Sequence, residues 1–247
     1  MKQFSLSVVL PVGDAPAALA ATVAECLALG AQQLADLEII IVEAGGDPGV
    51  ATLADRLAAT HSSVAVLRYA RRRGYRQGLY DAWGVARGAY VAALDLAGPA
   101  AAAGLARLLA TAPEHAAIFG YREPAPRHPA ARLFAAAVGA RVAPGLRDPA
   151  LGLALFRADL RDLLAPEGPD AMAHAEIFAA ARRRGLAVAQ VAVPGKAGRA
   201  APSLAAIGAA LSHGGADEGQ ARRGATVGAG MLIAACGVWL LRRWRRL

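Results

Sequence analysis

Apolar residues along this chain fall by turns into short continuous runs and into helical stripes. Ser5-Leu-Ser-Val-Val-Leu-Pro-Val12 reads as a strand, and Leu37-Glu-Ile-Ile-Ile-Val42, rich in β-branched side chains, as a second. Between them Asp14 is placed to cap a helix with Leu19, Val23, Cys26 and Leu27 on one face. After Val42 the turn Glu43-Ala-Gly-Gly-Asp47-Pro48-Gly49 leads into a helix with Val50, Leu53 and Leu57 inward. Val64–Leu67 predicts a third strand. Beyond the loop Arg71–Tyr75, the residues Leu79, Ala82, Trp83 and Ala86 recur at i, i+3, i+4 and i+7, the spacing of one helix face. Ala89–Asp95 is a fourth strand, residues 101–110 a helix, and Ala116–Tyr121 a fifth strand. Helices over about 157–164 and 171–184, a strand over 187–194, a loop to Ser203 and a helix to Leu211 complete the series. Single helices between strands require right-handed crossovers. The expected fold is therefore α/β, a Rossmann-like, mostly parallel sheet with helices on both faces.

The rhythm stops after Leu211. Residues 212–224 form a polar, Gly-rich linker, and Ala225–Leu241 is uncharged and apolar throughout. At about 1.5 Å per residue that stretch spans about 26 Å, the short end of what a bilayer core of about 30 Å demands. Trp239 and Trp244 suit an interface, and Arg242-Arg-Trp-Arg-Arg246 follows directly. The expected organisation is a domain over 1–211, a linker, one C-terminal membrane helix over 225–241 and an Arg-rich tail over 242–247. A tail of arginines favours the cytoplasmic side for the C-terminus. Nothing upstream would export the domain, because Pro11 and Asp14 end the first apolar run too early for a signal peptide. The domain is expected at the cytoplasmic face. Gly224-x-x-x-Gly228 leaves room for a membrane-protein partner or a homodimer.

Composition narrows the partners. The 247 residues carry 27 Lys and Arg against 19 Asp and Glu, a formal charge of +8 that suits phosphorylated molecules or anionic lipid. The arginine clusters at 71–73, 182–184 and 242–246 are not interleaved with the stacking aromatics of a single-strand binder, so nucleic acid is not expected. Cys26 and Cys236 are isolated, which gives no disulfide framework. The histidines at 61, 115, 128, 174 and 213 lack metal-ligand spacing and read as surface or core residues.

The candidate chemistry centres on Asp95. A carboxylate ending a buried strand stands where open α/β sheets bind ligands, and Gly98-Pro99 forces a turn just after it. Such an acid suits a divalent cation under a diphosphate, yet the position two residues on is Ala97. Neither G-x-G-x-x-G nor G-K-[ST] occurs.

In order, Ser7-Val-Val-Leu-Pro-Val12, Glu38–Glu43, Arg73-Gly-Tyr75, Ala86–Asp95, Tyr121-Arg122 and Arg147-Asp-Pro-Ala-Leu-Gly-Leu-Ala-Leu-Phe-Arg157 resemble the family 2 glycosyltransferases, in particular the dolichyl- or polyprenyl-phosphate sugar synthases. The resemblance covers about residues 5–211. It implies a glycosyltransferase A-type domain that moves a sugar from a nucleotide donor to a lipid phosphate at the cytoplasmic membrane face. It also implies Mg²⁺ or Mn²⁺ as a weak, nucleotide-dependent cofactor. Residue by residue, it places Pro11, Asp14, Glu43, Arg73, Gly74 and Asp95 at the nucleotide, Asp95 at the metal, and Asp95 and Asp148 at the chemistry. Arg122 and Arg132 fall on the acceptor phosphate, and Lys196 and Arg199 on a basic loop over the donor. The family's Pro-Val-Tyr-Asn-Glu is here Pro11-Val-Gly-Asp-Ala15, its Val-Asp-Asp-Gly-Ser is Val42-Glu-Ala-Gly-Gly46, and its Asp-x-Asp keeps one acid. Simpler roles stand beside these: Asp47 as a helix cap, Asp148 as a turn cap before Pro149, Glu176 as an ion-pair partner rather than a base, Arg122 and Arg132 as solvated residues. A catalytically inactive homologue serving as a membrane-tethered binding or scaffold subunit is the alternative function.

Overall fold

The computed structural model describes residues 4–12, 16–43, 47–71, 73–94, 101–194 and 202–212. Seven strands, β1 (Ser5–Val12), β2 (Asp36–Glu43), β3 (Val64–Arg68), β4 (Tyr90–Leu94), β5 (Ala117–Glu123), β6 (Leu153–Arg157) and β7 (Val188–Pro194), form one sheet. Their order is β3-β2-β1-β4-β6-β5-β7. β1 pairs in parallel with β2 and β4, as do β2 with β3 and β5 with β7, whereas β6 runs antiparallel between β4 and β5. The mostly parallel α/β sheet expected from the pattern is thus present.

Alternation along each strand divides the interior in two. On one face Val9, Ile40, Val91, Ala93 and Phe156 pack under α3 (Tyr75–Val85), α5 (Pro129–Arg141), α6 (Ala173–Arg183) and α7 (Leu204–Ser212). On the other, Val8, Leu10, Ile39, Ile41 and Leu155 pack under α1 (Pro16–Gln33), α2 (Pro48–Thr60) and α4 (Ala101–Thr111). Strands buried on both faces need near-continuous apolar runs, and these strands have them.

Local capping explains several boundaries. Asp47 accepts a hydrogen bond from the Gly49 amide at 2.7 Å with Pro48 in the first helical turn, which is the cap reading of that acid. His128 does the same for α5, its Nδ1 accepting from the Ala130 amide at 3.2 Å ahead of Pro129. The pattern did not reveal α5, because its Ala-rich sequence has little contrast between faces.

Two expected helices are altered. Residues 158–163 form a 3₁₀ segment instead of a regular helix over 157–164, and residues 170–172 form another, after which α6 begins at Ala173. Pro169 lies at the entry to the second of these, and a proline has no amide to give to a preceding turn. Leu153–Arg157 is a strand, fixed in register with Leu94 opposite Leu153 and Tyr90 opposite Arg157.

Among the described residues no helix is long and apolar enough to cross a membrane. Ser212, the first residue of the expected 212–224 linker, is the last of α7; the rest of the linker, the 225–241 span and the Arg-rich tail lie outside the described residues.

Candidate functional site

All parallel strands of the first half end on one edge of the sheet, at Val12, Glu43, Arg68 and Leu94. Because β6 is reversed, its first residue, Leu153, sits opposite Leu94, and the segment before it reaches the same edge. A pocket of ≈ 210 Å³ opens there between Tyr75, Phe134, Gly152, Asp170, His174 and Ala206. This is the crevice outside the carboxyl ends of the strands where α/β sheets take ligands.

The wall at Asp170 and Ala171 is held in place by a buried arginine that the hydrophobic pattern conceals. Arg76 is 1% exposed. Its Nη1 donates to Glu176 Oε2 at 2.8 Å and to the Ala165 carbonyl at 3.2 Å, while Nε and Nη2 donate to the Pro169 carbonyl at 3.3 and 3.1 Å. A buried guanidinium is tolerated when its donors are used in this way. The result ties the start of α3 to the segment 165–170 and to α6. Glu176 accordingly takes the ion-pair role left open by the sequence. Arg76, Leu79 and Trp83 share one buried face at i, i+3 and i+7, so an arginine in an apolar stripe was the available signal.

That clamp delivers Asp170 to the pocket. Its Oδ1 accepts from the Arg76 amide at 3.0 Å, so a carboxylate from another segment occupies the N-terminus of α3, where negative charge is favoured. A Cβ on Gly74 would lie 2.5 Å from the same oxygen. Gly74 has ordinary extended backbone angles, so the close approach of Asp170 is what requires glycine. Deeper in, Tyr75 Oη and His174 Nε2 are 2.7 Å apart, with His174 5% exposed and edge-on to Phe119 and Phe156. Asp170, Tyr75 and His174 were not among the sequence candidates.

The sequence candidates are distributed as follows. Glu43 ends β2 almost buried, and its carboxylate accepts from Arg68 Nε, while Arg68 Nη2 reaches Asp55 Oδ1 at 2.8 Å. Those two acids raise the Arg68 guanidinium above its ordinary pKa. Pro11 lies in β1 opposite Val42, one position before Glu43. Arg73 is exposed beside Gly74, with its guanidinium 5.9 Å from the centre of the Tyr69 ring. Tyr69 donates to Asp81 Oδ2 at 2.6 Å, and burial, then that bond, pushes its phenol well above its usual range.

Arg122 and Asp148 meet each other. Asp148 Oδ2 and Oδ1 accept from Arg122 Nε and Nη2 at 2.7 and 2.8 Å, and Oδ2 also accepts from the Arg122 amide at 3.2 Å. Arg132 lies on α5, exposed. Asp14, Asp95, Lys196 and Arg199 lie outside the described residues.

Among the described residues no group of three His, Cys, Asp or Glu side chains converges on one point. Glu43 and Asp148 both spend carboxylate oxygens on arginines. The described residues thus do not make a resident metal site.

Comparisons with known proteins agree with this architecture. Residues 7–112 match the family described as Glycosyl transferase family 2. No curated protein matches the sequence. Among solved structures, glucosyl-3-phosphoglycerate synthase from Mycobacterium tuberculosis, in complex with Mn²⁺, UDP-glucose and phosphoglyceric acid, superposes with a TM-score of 0.66 at 19% identity, over 84% of this chain and 76% of that one. A mannosyltransferase from Pyrobaculum calidifontis in complex with GDP-mannose and Mn²⁺ gives 0.55 at 20% identity, over 78% of this chain and 57% of that one. The stretch from β1 to the end of α4 is thus similar to Glycosyl transferase family 2, and the chain has the α/β fold that these two enzymes share.

Proposed function

We propose that this chain is a membrane-anchored glycosyltransferase of the family 2 kind, which transfers a sugar from a nucleotide donor to a polyprenyl phosphate or related phosphorylated acceptor. The observation that carries the reading is positional. The family match covers the strands that end on one sheet edge at Val12, Glu43, Arg68 and Leu94, and it includes Tyr75, which lines the pocket together with Asp170 and His174. The neighbours' bound UDP-glucose and GDP-mannose support a nucleotide sugar donor, and bound phosphoglyceric acid supports a phosphorylated acceptor. The apolar stretch 225–241 with its arginine tail supports a lipid-borne acceptor at the cytoplasmic membrane face.

In this reading the donor's diphosphate lies over the ends of β1, β2 and β4, and an acceptor phosphate oxygen attacks the sugar's anomeric carbon as the nucleoside diphosphate departs. The acceptor is ionised at neutral pH, so the step needs no base to activate it. What it needs is placement and charge neutralisation. Arg73 and the loop cations Lys196 and Arg199 are assigned to the diphosphate, and Arg132 to the acceptor. Arg122 acts through Asp148, holding the segment that precedes Gly152. Asp170 and His174 line the space left for the sugar. A divalent cation, brought in with the diphosphate and held by Asp95, would neutralise leaving-group charge.

A second reading is favoured by Ala97 and by the engagement of Glu43 with Arg68: the domain binds nucleotide, or a partner, without transfer. Calorimetric titration with UDP and GDP, with and without Mn²⁺, followed by transfer assays on polyprenyl phosphate and phosphoglycerate, tests both. Metal-dependent nucleotide binding with transfer supports the first reading, and binding without transfer to either acceptor the second. No binding of either nucleotide under both conditions overturns the donor assignment.

A further inference from the structure

The two helices that flank the pocket carry no acidic residue, and their only charges are two arginines of α5. α5 exposes Pro129, Leu133, Ala136 and Ala140 together with Arg132 and Arg141, and α7 exposes Leu204, Ala205 and Gly208 and contains no charged residue. The helices pack against each other. Their inner residues, among them Phe134, Val138, Ile207 and Ala210, enter one core cluster, so their exposed sides face outward together. Leu133 at 42% and Leu204 at 86% exposure are two of the three large exposed hydrophobics among the described residues. A helix that faces only water normally turns charged residues outward. Single exposed apolar residues mean little, but a contiguous apolar face marks an interaction surface.

Charge identifies the partner. From Pro124 to Arg147 the chain has Arg127, Arg132, Arg141 and Arg147, all exposed, and no Asp or Glu. An apolar strip of small residues rimmed by arginines has the make-up of a helix lying in a membrane interface. α7 also leads straight into residues 213–247, which hold the apolar stretch 225–241. We propose that the α5–α7 face docks on the surface of an anionic bilayer, its apolar strip among the headgroups and its arginines on lipid phosphates. Phe134 of α5 and Ala206 of α7 also line the pocket, so docking brings the pocket to the lipid surface. The inference rests on the membrane location proposed above and is independent of sugar transfer.

The test uses the full chain with Cys236→Ser, Cys26 being buried, and a bimane label at Ala136→Cys, Ala205→Cys or, on the opposite side of the sheet, Thr60→Cys. Vesicles of phosphatidylcholine, with or without phosphatidylglycerol, carry brominated lipid as quencher. The expected result is strong quenching at 136 and 205 in anionic vesicles, with little at 60. Each arginine near such a surface contributes roughly five-fold in partitioning, so Arg132→Glu with Arg141→Glu should return position 136 to the level of position 60, as should high salt. Vesicle binding with equal quenching at all three positions overturns the docking face while leaving the anchor intact. Equal quenching in neutral and anionic vesicles overturns the lipid-charge assignment. Contact of labels between copies in detergent without lipid gives the face to a second copy of the chain and overturns the proposal. Absence of vesicle binding altogether removes the membrane location and this inference together.

Discussion

Arg122 and Asp148 form a two-point ion pair, Nε to Oδ2 at 2.7 Å and Nη2 to Oδ1 at 2.8 Å, with side chains only 10% and 6% exposed. It joins the end of β5 to the turn that starts the reversed strand β6. Truncating one partner leaves the other charged and buried, which typically costs about 3–5 kcal/mol. Arg122→Ala is therefore expected to lower the urea unfolding free energy by that amount. Arg122→Lys, which cannot make the planar two-point contact, should recover only part of it. An Arg122→Ala protein of unchanged stability with weakened acceptor binding would return this arginine to direct contact with the substrate.

Gly74 and Asp170 give a second prediction. A Cβ at position 74 would fall 2.5 Å from an Asp170 oxygen that already accepts from the Arg76 amide. Gly74→Ala must push that carboxylate away, with an expected cost of about 1–3 kcal/mol, the range for overpacking. Asp170→Ala removes the obstacle as well as the hydrogen bond. The double variant should then be less destabilised than the sum of the singles, a coupling that a double-mutant cycle measures. Additive losses would mean that the two residues do not meet.

Much of the fold was legible in the sequence, and the reasons are specific. Val8, Val9, Leu10 and Ile39–Val42 announce strands because parallel strands buried on both faces tolerate few polar residues. Asp47-Pro48 announces α2 through capping chemistry. α5 was not legible, since Ala and Gly bury as easily as they expose. The site was less legible still. Arg122 and Asp148 were both singled out, but sequence order says nothing about two charges 26 residues apart neutralising each other. Beyond its place in an apolar stripe Arg76 gives no signal of its burial, because a charge in an amphipathic pattern is ordinarily solvated, Glu176 lies 100 residues away, and its other partners, the carbonyls of Ala165 and Pro169, are backbone atoms without a residue-type signature.

Cys26 supplies a pH prediction. Burial, reinforced by Glu25, pushes its thiol up to about 12. An unfolded thiol titrates near about 8.5, so between these values the unfolded chain has lost a proton that the folded chain retains. The unfolded state binds fewer protons there, and stability falls as pH rises. In the Cys236→Ser background the loss between pH 8 and pH 10 should be about 2 kcal/mol from this group. It should vanish from the pH dependence of Cys26→Ala, as read by urea midpoints. The native thiol should also resist a thiolate-specific reagent until the chain unfolds. Rapid labelling of the folded protein at Cys26 would contradict its burial.

The last prediction decides between transfer and mere binding. Glu43 is held by Arg68 and Asp148 by Arg122, and the second position of the expected acid pair is Ala97, so the reading proposed above assigns the cation to Asp95 alone of that pair. Divalent cations of this kind sit between one or two carboxylates and the substrate's phosphates, and they give up water reluctantly. One acid then suffices only when the diphosphate brings the other ligands. The wild-type chain is expected to bind Mn²⁺ measurably with UDP or GDP present and not without, and to transfer sugar slowly or not at all. Ala97→Asp should tighten metal-dependent nucleotide binding at least ten-fold, about 1.4 kcal/mol, and leave metal-free nucleotide binding unchanged. Calorimetry on both proteins measures this directly. Tight Mn²⁺ binding by the wild-type chain alone, or turnover at the ordinary enzymatic rate of about 1–10³ s⁻¹, would show that other residues complete the clamp and that the crevice is not depleted.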